Sequence, residues 1–229
     1  MQRIQRSVQA LLVEVLPDGG RIGLAISGGA DSTALLYLAA VAATATGTEP
    51  IVLHFDHGLR PDSDEDRRFV ATMATACGLP FHHEKAAAAP TSGSLEDWAR
   101  RERYDFFRRA ALEFGLAAVA TGHTADDQAE TVLFRLLVRG AGARGLAGIP
   151  AIRDAGEFLI IRPLLPHRRA EILAYLAHRG LSFRDDPMNR SLLFARNKIR
   201  HQVIPFLLEH CNPRLVESLG RTAEILRTE

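Results

Sequence analysis

Lysine is almost missing from this chain of 229 residues: it stands only at positions 85 and 198, so nearly all of the 28 basic side chains are arginine. Beside so much alanine, that bias reads as GC-rich coding. Cysteine is as scarce. Cys77 and Cys211 lie too far apart for a CxxC redox pair, and a zinc cluster cannot be built from cysteine alone. Two thiols suit a reducing compartment, and the cytoplasm is expected. No apolar run approaches the roughly 18 residues that would span a bilayer, so no membrane partner is expected. Met1 to Pro17 has neither a continuous apolar stretch nor a small-residue cleavage site. Its Ile4, Val8, Leu11, Leu12 and Val15 recur at helical spacing and predict an amphipathic first helix. With 47% hydrophobic and 24% charged residues, the chain has what a buried core needs, which excludes disorder and fibrous structure.

The net charge of +1 hides an asymmetry. Residues 1–120 carry 12 basic and 15 acidic side chains, and residues 121–229 carry 16 and 12. Between Arg162 and Arg200 nine basic residues face three acidic ones. A surplus of that size suggests contact with a polyanion, against the plainer reading of a solvated face.

Short apolar runs alternate with helical periods. Strands are predicted at 22–26, 51–55, 81–83, 117–120 and 158–161, with helices of 12 to 20 residues between them. Ser94 with Asp97 and Thr124 with Asp127 have capping-box spacing, and Pro61-Asp62-Ser63 precedes an acidic first turn. This order predicts an α/β fold with a doubly wound, parallel, five-stranded sheet. After Pro163 helices take over, at 167–179, at 198–211, and in one capped by Asn212 with Pro213 at its first position. The expected division is an α/β nucleotide-binding domain over residues 1–165 and a helical C-terminal extension over 166–229 packed on it. In such sheets ligands sit beyond the carboxyl ends of the strands, where the strand order reverses, so the loops after the first and fourth strands should carry the chemistry.

The first of these reads Ser27-Gly28-Gly29-Ala30-Asp31-Ser32 before an apolar helix. Adjacent glycines let backbone N–H groups close around an anion, and the helix N-terminus adds positive partial charge. The turn lacks the Walker lysine and the Rossmann glycine spacing. The other loop reads Gly122-His123-Thr124-Ala125-Asp126-Asp127-Gln128-Ala129-Glu130-Thr131. On a helix starting near Thr124, Asp127 and Glu130 share a face, and His123 looks into the same crevice. The plainer reading of the acids is complementing the helix dipole. After the second strand, His54-Phe55-Asp56-His57-Gly58-Leu59-Arg60 has the look of a metal site, although alternation along a strand argues against convergence of His54 and His57.

SGGADS resembles the pyrophosphate loop of the PP-loop ATPases, which cleave ATP to AMP and pyrophosphate. HFDHGLR and the GHxxDDxxET pattern are similar to those of the tRNA(Ile)-lysidine synthetases within that superfamily. So are Ala99 to Tyr104 (ARxxRY), the glycine-rich Gly140 to Ile149, Arg162-Pro163-Leu164-Leu165, Asp186-Pro187-Met188-Asn189 and Arg196-Asn197-Lys198-Ile199-Arg200, in the family's order over residues 20–229. Met188 departs from the family's Ser or Thr. Many family members continue into C-terminal domains, whereas this chain stops at Glu229 inside a predicted helix, as a fragment or a minimal form would.

The resemblance implies a PP-loop fold, ATP and Mg²⁺ as cofactors, and lysine and a CAU-anticodon tRNA(Ile) as partners. A homodimer is compatible with it. Ser27, Gly28, Gly29, Ala30, Ser32, His54 and Gly122 are then expected around ATP, and Asp31 at the metal. Asp127 and Glu130 would receive the substrate amine, and His123 is a candidate for its proton. Arg196 and Arg200 would steady the α-phosphate or the tRNA backbone. Rivals are a tRNA thiolase, disfavoured by the cysteine pattern, an amidotransferase-coupled synthetase, which would need a glutaminase nucleophile, and a non-catalytic nucleotide-binding module, which has no need of Asp127 and Glu130.

Overall fold

The computed structural model describes residues 2–59, 62–90, 92, 94–185 and 195–228. In chain order the elements are α1 (Gln2–Val15), β1 (Gly20–Ala25), α2 (Ala30–Thr46), β2 (Thr48–Asp56), α3 (Ser63–Ala76), β3 (Phe81–Lys85), α4 (Leu95–Phe114) and β4 (Ala118–Thr121). Then come α5 (Ala125–Leu137), α6 (Ala143–Leu146), β5 (Ile152–Asp154), β6 (Leu159–Ile161) and α7 (Arg169–His178). The chain closes with α8 (Ala195–Lys198), a π-helical turn (Ile199–Val203), α9 (Ile204–His210) and α10 (Leu215–Thr228).

Side-chain alternation along the strands divides the core in two. Ile22, Leu24, Val52, Ala118, Ala120 and Ile161 bury on one face of the sheet against α1, α2, α3 and α7. Leu53, Val119 and Ile160, out of step by one residue, bury on the other against Phe106, Phe107 and Ala110 of α4. Ile172, Tyr175 and Leu176 of α7 thus belong to the same core as the sheet.

The strand order is β3-β2-β1-β4-β6-β5. Neighbours are parallel except β5, which runs antiparallel to β6. The sheet therefore has six strands where the sequence predicts five. The additional β5 turns back through a tight hairpin in which Gly156 N–H donates to Asp154 Oδ1 at 2.8 Å. Order reverses between β1 and β4, so the loops after these two strands flank the switch-point crevice.

The last helices pack on α5: Ile199, Ile204 and Val216 bury against Ala129 and Leu133. Where one helix over 198–211 is predicted, the chain makes a wide turn, with Ile204 N–H donating to the carbonyl of Ile199. Pro205 is the physical reason, since it has no N–H and its ring crowds the preceding turn. Among the described residues no helix is long and apolar enough to cross a membrane.

Candidate active site

The SGG turn leaves β1 with Gly28 at φ +93°, a conformation that disfavours a side chain. The Ser32 hydroxyl closes the turn. It accepts from Ser27 and Gly28 N–H at 3.2 Å each, donates to the Gly29 carbonyl at 2.9 Å, and lies 3.1 Å from Ser27 Oγ. The first intrahelical bond of α2 runs from Thr33 N–H to Gly29. The N–H groups of Ala30, Asp31 and Ser32 therefore have no helical acceptor and form an anion-attracting end. From the opposite side Gly122 comes so close that a Cβ there would lie 3.0 Å from Ser32 N and 3.1 Å from Asp31 C. The two motif loops thus touch.

Asp31 is 17% exposed at its side chain and pairs with Arg169 from the start of α7. Burial holds its carboxyl up at about 6, against the pull of Arg169. Its Oδ1 is buried without a partner among the described residues. An orphaned carboxylate oxygen beside a phosphate-binding turn fits a divalent cation that takes its other ligands from phosphates and water. Among the described residues no group of three His, Cys, Asp or Glu side chains could hold a metal by itself.

Across the crevice, Asp127 Oδ2 accepts from Thr124 N at 2.8 Å and Oγ1 at 2.9 Å, which starts α5. Its Oδ1 accepts from Arg200 Nη2 at 3.1 Å, while Glu130 accepts from Arg200 Nε at 2.5 Å and Nη2 at 2.9 Å. Asp127 and Glu130 thus share one face, as predicted, and grip one cation between them. Burial pushes the Glu130 carboxyl up, opposed by Arg200. His123 donates to or accepts from Thr121 Oγ1 at 2.8 Å, and burial, aided by Arg162, Arg103 and Arg100, brings it down to about 4.

Other predicted residues stand outside this cluster. His54 is buried behind the turn, its Nδ1 2.8 Å from the Ile26 carbonyl. His57 turns elsewhere, 3.2 Å from Arg103 and edge-on to Phe55 and Trp98, so the two histidines do not converge. Arg196 lies over Phe134 and pairs with Glu96 at 3.0 Å. Arg60, Pro61 and Asp186-Pro187-Met188-Asn189 lie outside the described residues.

The basic stretch finds its anions largely within the chain. Arg168 pairs with Asp126 at 3.3 Å and Glu217 at 3.1 Å, and Arg184 pairs with Asp66 at 2.5 Å and Glu65 at 3.0 Å. Arg169 N–H also donates to Asp126, at 2.7 Å. Two arginines opening a helix oppose its dipole, and that is the sequence signal that carboxylates must wait nearby. Arg168→Glu is accordingly expected to cost about 2 kcal/mol, lowering Tm by roughly 4–8 °C in thermal melts. An unchanged melt would return Arg168 to the solvated surface.

A family model described as a PP-loop domain matches residues 1–207. Curated relatives named tRNA(Ile)-lysidine synthase include that of Geobacter sulfurreducens, 46% identical over 213 residues, covering 91% of this chain and 44% of the relative. That of Solibacter usitatus is 44% identical, covering 92% of this chain and 46% of the relative. That of Salinispora tropica is 40% identical, covering 99% of this chain and 68% of the relative. The chain spans about half the length of the first two. Among solved structures, the U34-tRNA thiolase NcsA from Methanococcus maripaludis has the same fold, with a TM-score of 0.84 at 18% identity, covering 100% of this chain and 80% of that one.

Proposed function

From the premise that this chain belongs to the PP-loop family of the tRNA(Ile)-lysidine synthases, we propose that it joins lysine to C2 of the wobble cytidine of a CAU-anticodon tRNA(Ile) at the expense of ATP. The observation that carries the reading is the acid pair: Asp127 and Glu130 hold a cationic group across the crevice from the pyrophosphate turn. An amine substrate offers the same charge to the same oxygens.

In this reading the Gly28–Gly29 turn and the free N–H groups opening α2 hold the β and γ phosphates. Asp31, with its orphaned oxygen, would hold Mg²⁺, which would supply charge neutralisation of the leaving pyrophosphate. Arg169, freed from Asp31, faces the same phosphates and replaces the missing Walker lysine. The C2 oxygen of cytidine attacks the α-phosphate and pyrophosphate departs. The lysine ε-amine then attacks C2, and AMP leaves. Glu130 receives the amine proton, because burial raises its carboxyl, whereas His123 at about 4 is a weak base and serves as a neutral hydrogen-bonding group. The start of α7 brings Arg169 and the π-helical turn brings Arg200 to the crevice, and the cytoplasm supplies the substrates.

Thiolase chemistry fits less well. The NcsA structure carries a 4Fe-4S cluster, such clusters are held by cysteine thiolates, and this chain has two cysteines, both free. The test is product analysis: AMP should be released only when lysine and CAU-anticodon tRNA are both present, while the tRNA without lysine should support ATP–pyrophosphate exchange. ADP and phosphate as main products would exclude PP-loop chemistry here.

A further inference from the structure

Most arginines near the crevice have carboxylate partners. Arg100, Arg153 and Arg162 instead gather around Tyr104, with no carboxylate partner among the described residues. The Arg153 guanidinium lies 4.6 Å from the centre of the Tyr104 ring and that of Arg100 lies 5.5 Å from it. Arg162, only 3% exposed, lies beside Tyr104 and donates from Nη1 to the Pro150 carbonyl at 2.7 Å. Its Nε is buried without a partner among the described residues, and so is that of Arg153. A buried guanidinium without a counter-charge is costly, and a fold that keeps one beside two more is built to receive an anion.

The surroundings identify that anion. Tyr104, Arg100 and Arg101 line an open depression of about 680 Å³, floored by Trp98 and edged by Asp97 and Asp105. Asp105 is engaged by Arg108 at 3.4 Å, so basic groups prevail. The volume lies within the roughly 300–1,000 Å³ of small-ligand sites, yet the depression is open, as a continuous strand requires. Arg162 stands next to the reaction crevice, since Thr121 Oγ1 donates to the carbonyl of the preceding Ile161 at 3.5 Å and lies 2.8 Å from His123. Guanidinium planes laid on an aromatic face keep their N–H edges directed outward, an arrangement suited to phosphate oxygens.

We propose that Arg100 and Arg153, seated on Tyr104 with Arg162 behind it, form a phosphodiester site that grips the RNA strand beside the reacting nucleotide. The inference rests on the tRNA reading above. It places the RNA grip on α4 and the β5–β6 hairpin, whereas the arginine-rich stretch after Arg162 is engaged largely by internal carboxylates.

The test compares the full chain with Arg100→Gln/Arg153→Gln, using labelled CAU-anticodon tRNA titrated at several salt concentrations and ATP titrated separately. The double variant should bind tRNA about tenfold more weakly, with a log–log salt slope less negative by roughly 0.7–0.9 for each phosphate that is no longer neutralised. ATP affinity should stay the same. Arg100→Lys/Arg153→Lys, which keeps the charge, should recover part of the affinity, and the exposed single variant Arg100→Gln guards against misfolding of the double. Unchanged tRNA affinity and slope overturn the proposal. Weakened ATP binding also overturns it, by assigning the cluster to the nucleotide. Product analysis with the parent chain decides the tRNA reading independently, so the two failures are distinguishable.

Discussion

Asp31→Asn should lower turnover by roughly a thousandfold or more, the scale on which a group stabilising developing charge acts, and still leave the chain at least as stable as the parent at pH 7.5. The two halves of that result have one origin. Asp31 is held inside the crevice with one oxygen on Arg169 and the other without a partner among the described residues, and burial raises its carboxyl from 3.8 to about 6. A carboxyl whose pKa rises on folding favours the folded state only when protonated. That contribution is complete below about pH 4 and is lost as pH rises through about 6. The gap corresponds to about 3 kcal/mol at most. Asparagine cannot ionise, so the variant escapes this loss, less what Arg169 forfeits when its anionic partner disappears. A net gain of about 1–2 kcal/mol above pH 7, or roughly 2–8 °C in Tm, should vanish at pH 4. Mg²⁺ with ATP should raise the parent's melting temperature at pH 7.5 more than the variant's, because only the parent presents a carboxylate. Melts across pH 4–8 decide the matter: a variant less stable than the parent at pH 7.5 would make the Asp31–Arg169 pair a structural anchor.

What could be read in the sequence was local. The alternation of Ile22 with Leu24 and the glycines of the SGG turn act within a few residues, so five strands and the two crevice loops are visible without coordinates. β5 is not, because Ile152-Arg153-Asp154 holds one apolar residue where β6 lies in the apolar run Phe158 to Ile161, and β5 is ordered by pairing with β6. The cap at Thr124 is visible because its partner Asp127 is three residues away. The Asp31–Arg169 pair joins residues 138 apart, and Glu130–Arg200 joins residues 70 apart, so only the folded chain brings them together. For the same reason the basic surplus of residues 162–200 looks like a polyanion site in sequence and is largely neutralised in the fold. Of the arginines without a carboxylate partner among the described residues, Arg100 and Arg153 lie outside that stretch, where its charge count would not find them.

Arg200→Ala should separate the two jobs of the acid pair. The guanidinium lies between Asp127 and a Glu130 that is 10% exposed at its side chain, so its removal leaves two carboxylates facing each other in a half-buried site. Breaking a buried pair costs about 3–5 kcal/mol, and the lower end applies because Arg200 is itself 30% exposed. The loss should deepen with rising pH: without Arg200 the largest opposition to burial is gone, the Glu130 carboxyl moves further up, and its ionisation weighs against folding. Free lysine provides the sharper measurement. An ε-ammonium group can occupy the gap that the guanidinium leaves, so saturating lysine should raise the melting temperature of Arg200→Ala more than that of the parent. Glu130→Gln acts in the opposite sense. It keeps Arg200 tied to Asp127 and should spare tRNA-dependent ATP–pyrophosphate exchange, while lysine transfer falls by roughly 10²-fold for want of a proton acceptor. Melts of Arg200→Ala with and without lysine, beside exchange and transfer rates of Glu130→Gln, read both effects. If lysine stabilises neither protein and the two rates fall together, Asp127 and Glu130 serve the phosphates, and the amine must be received elsewhere.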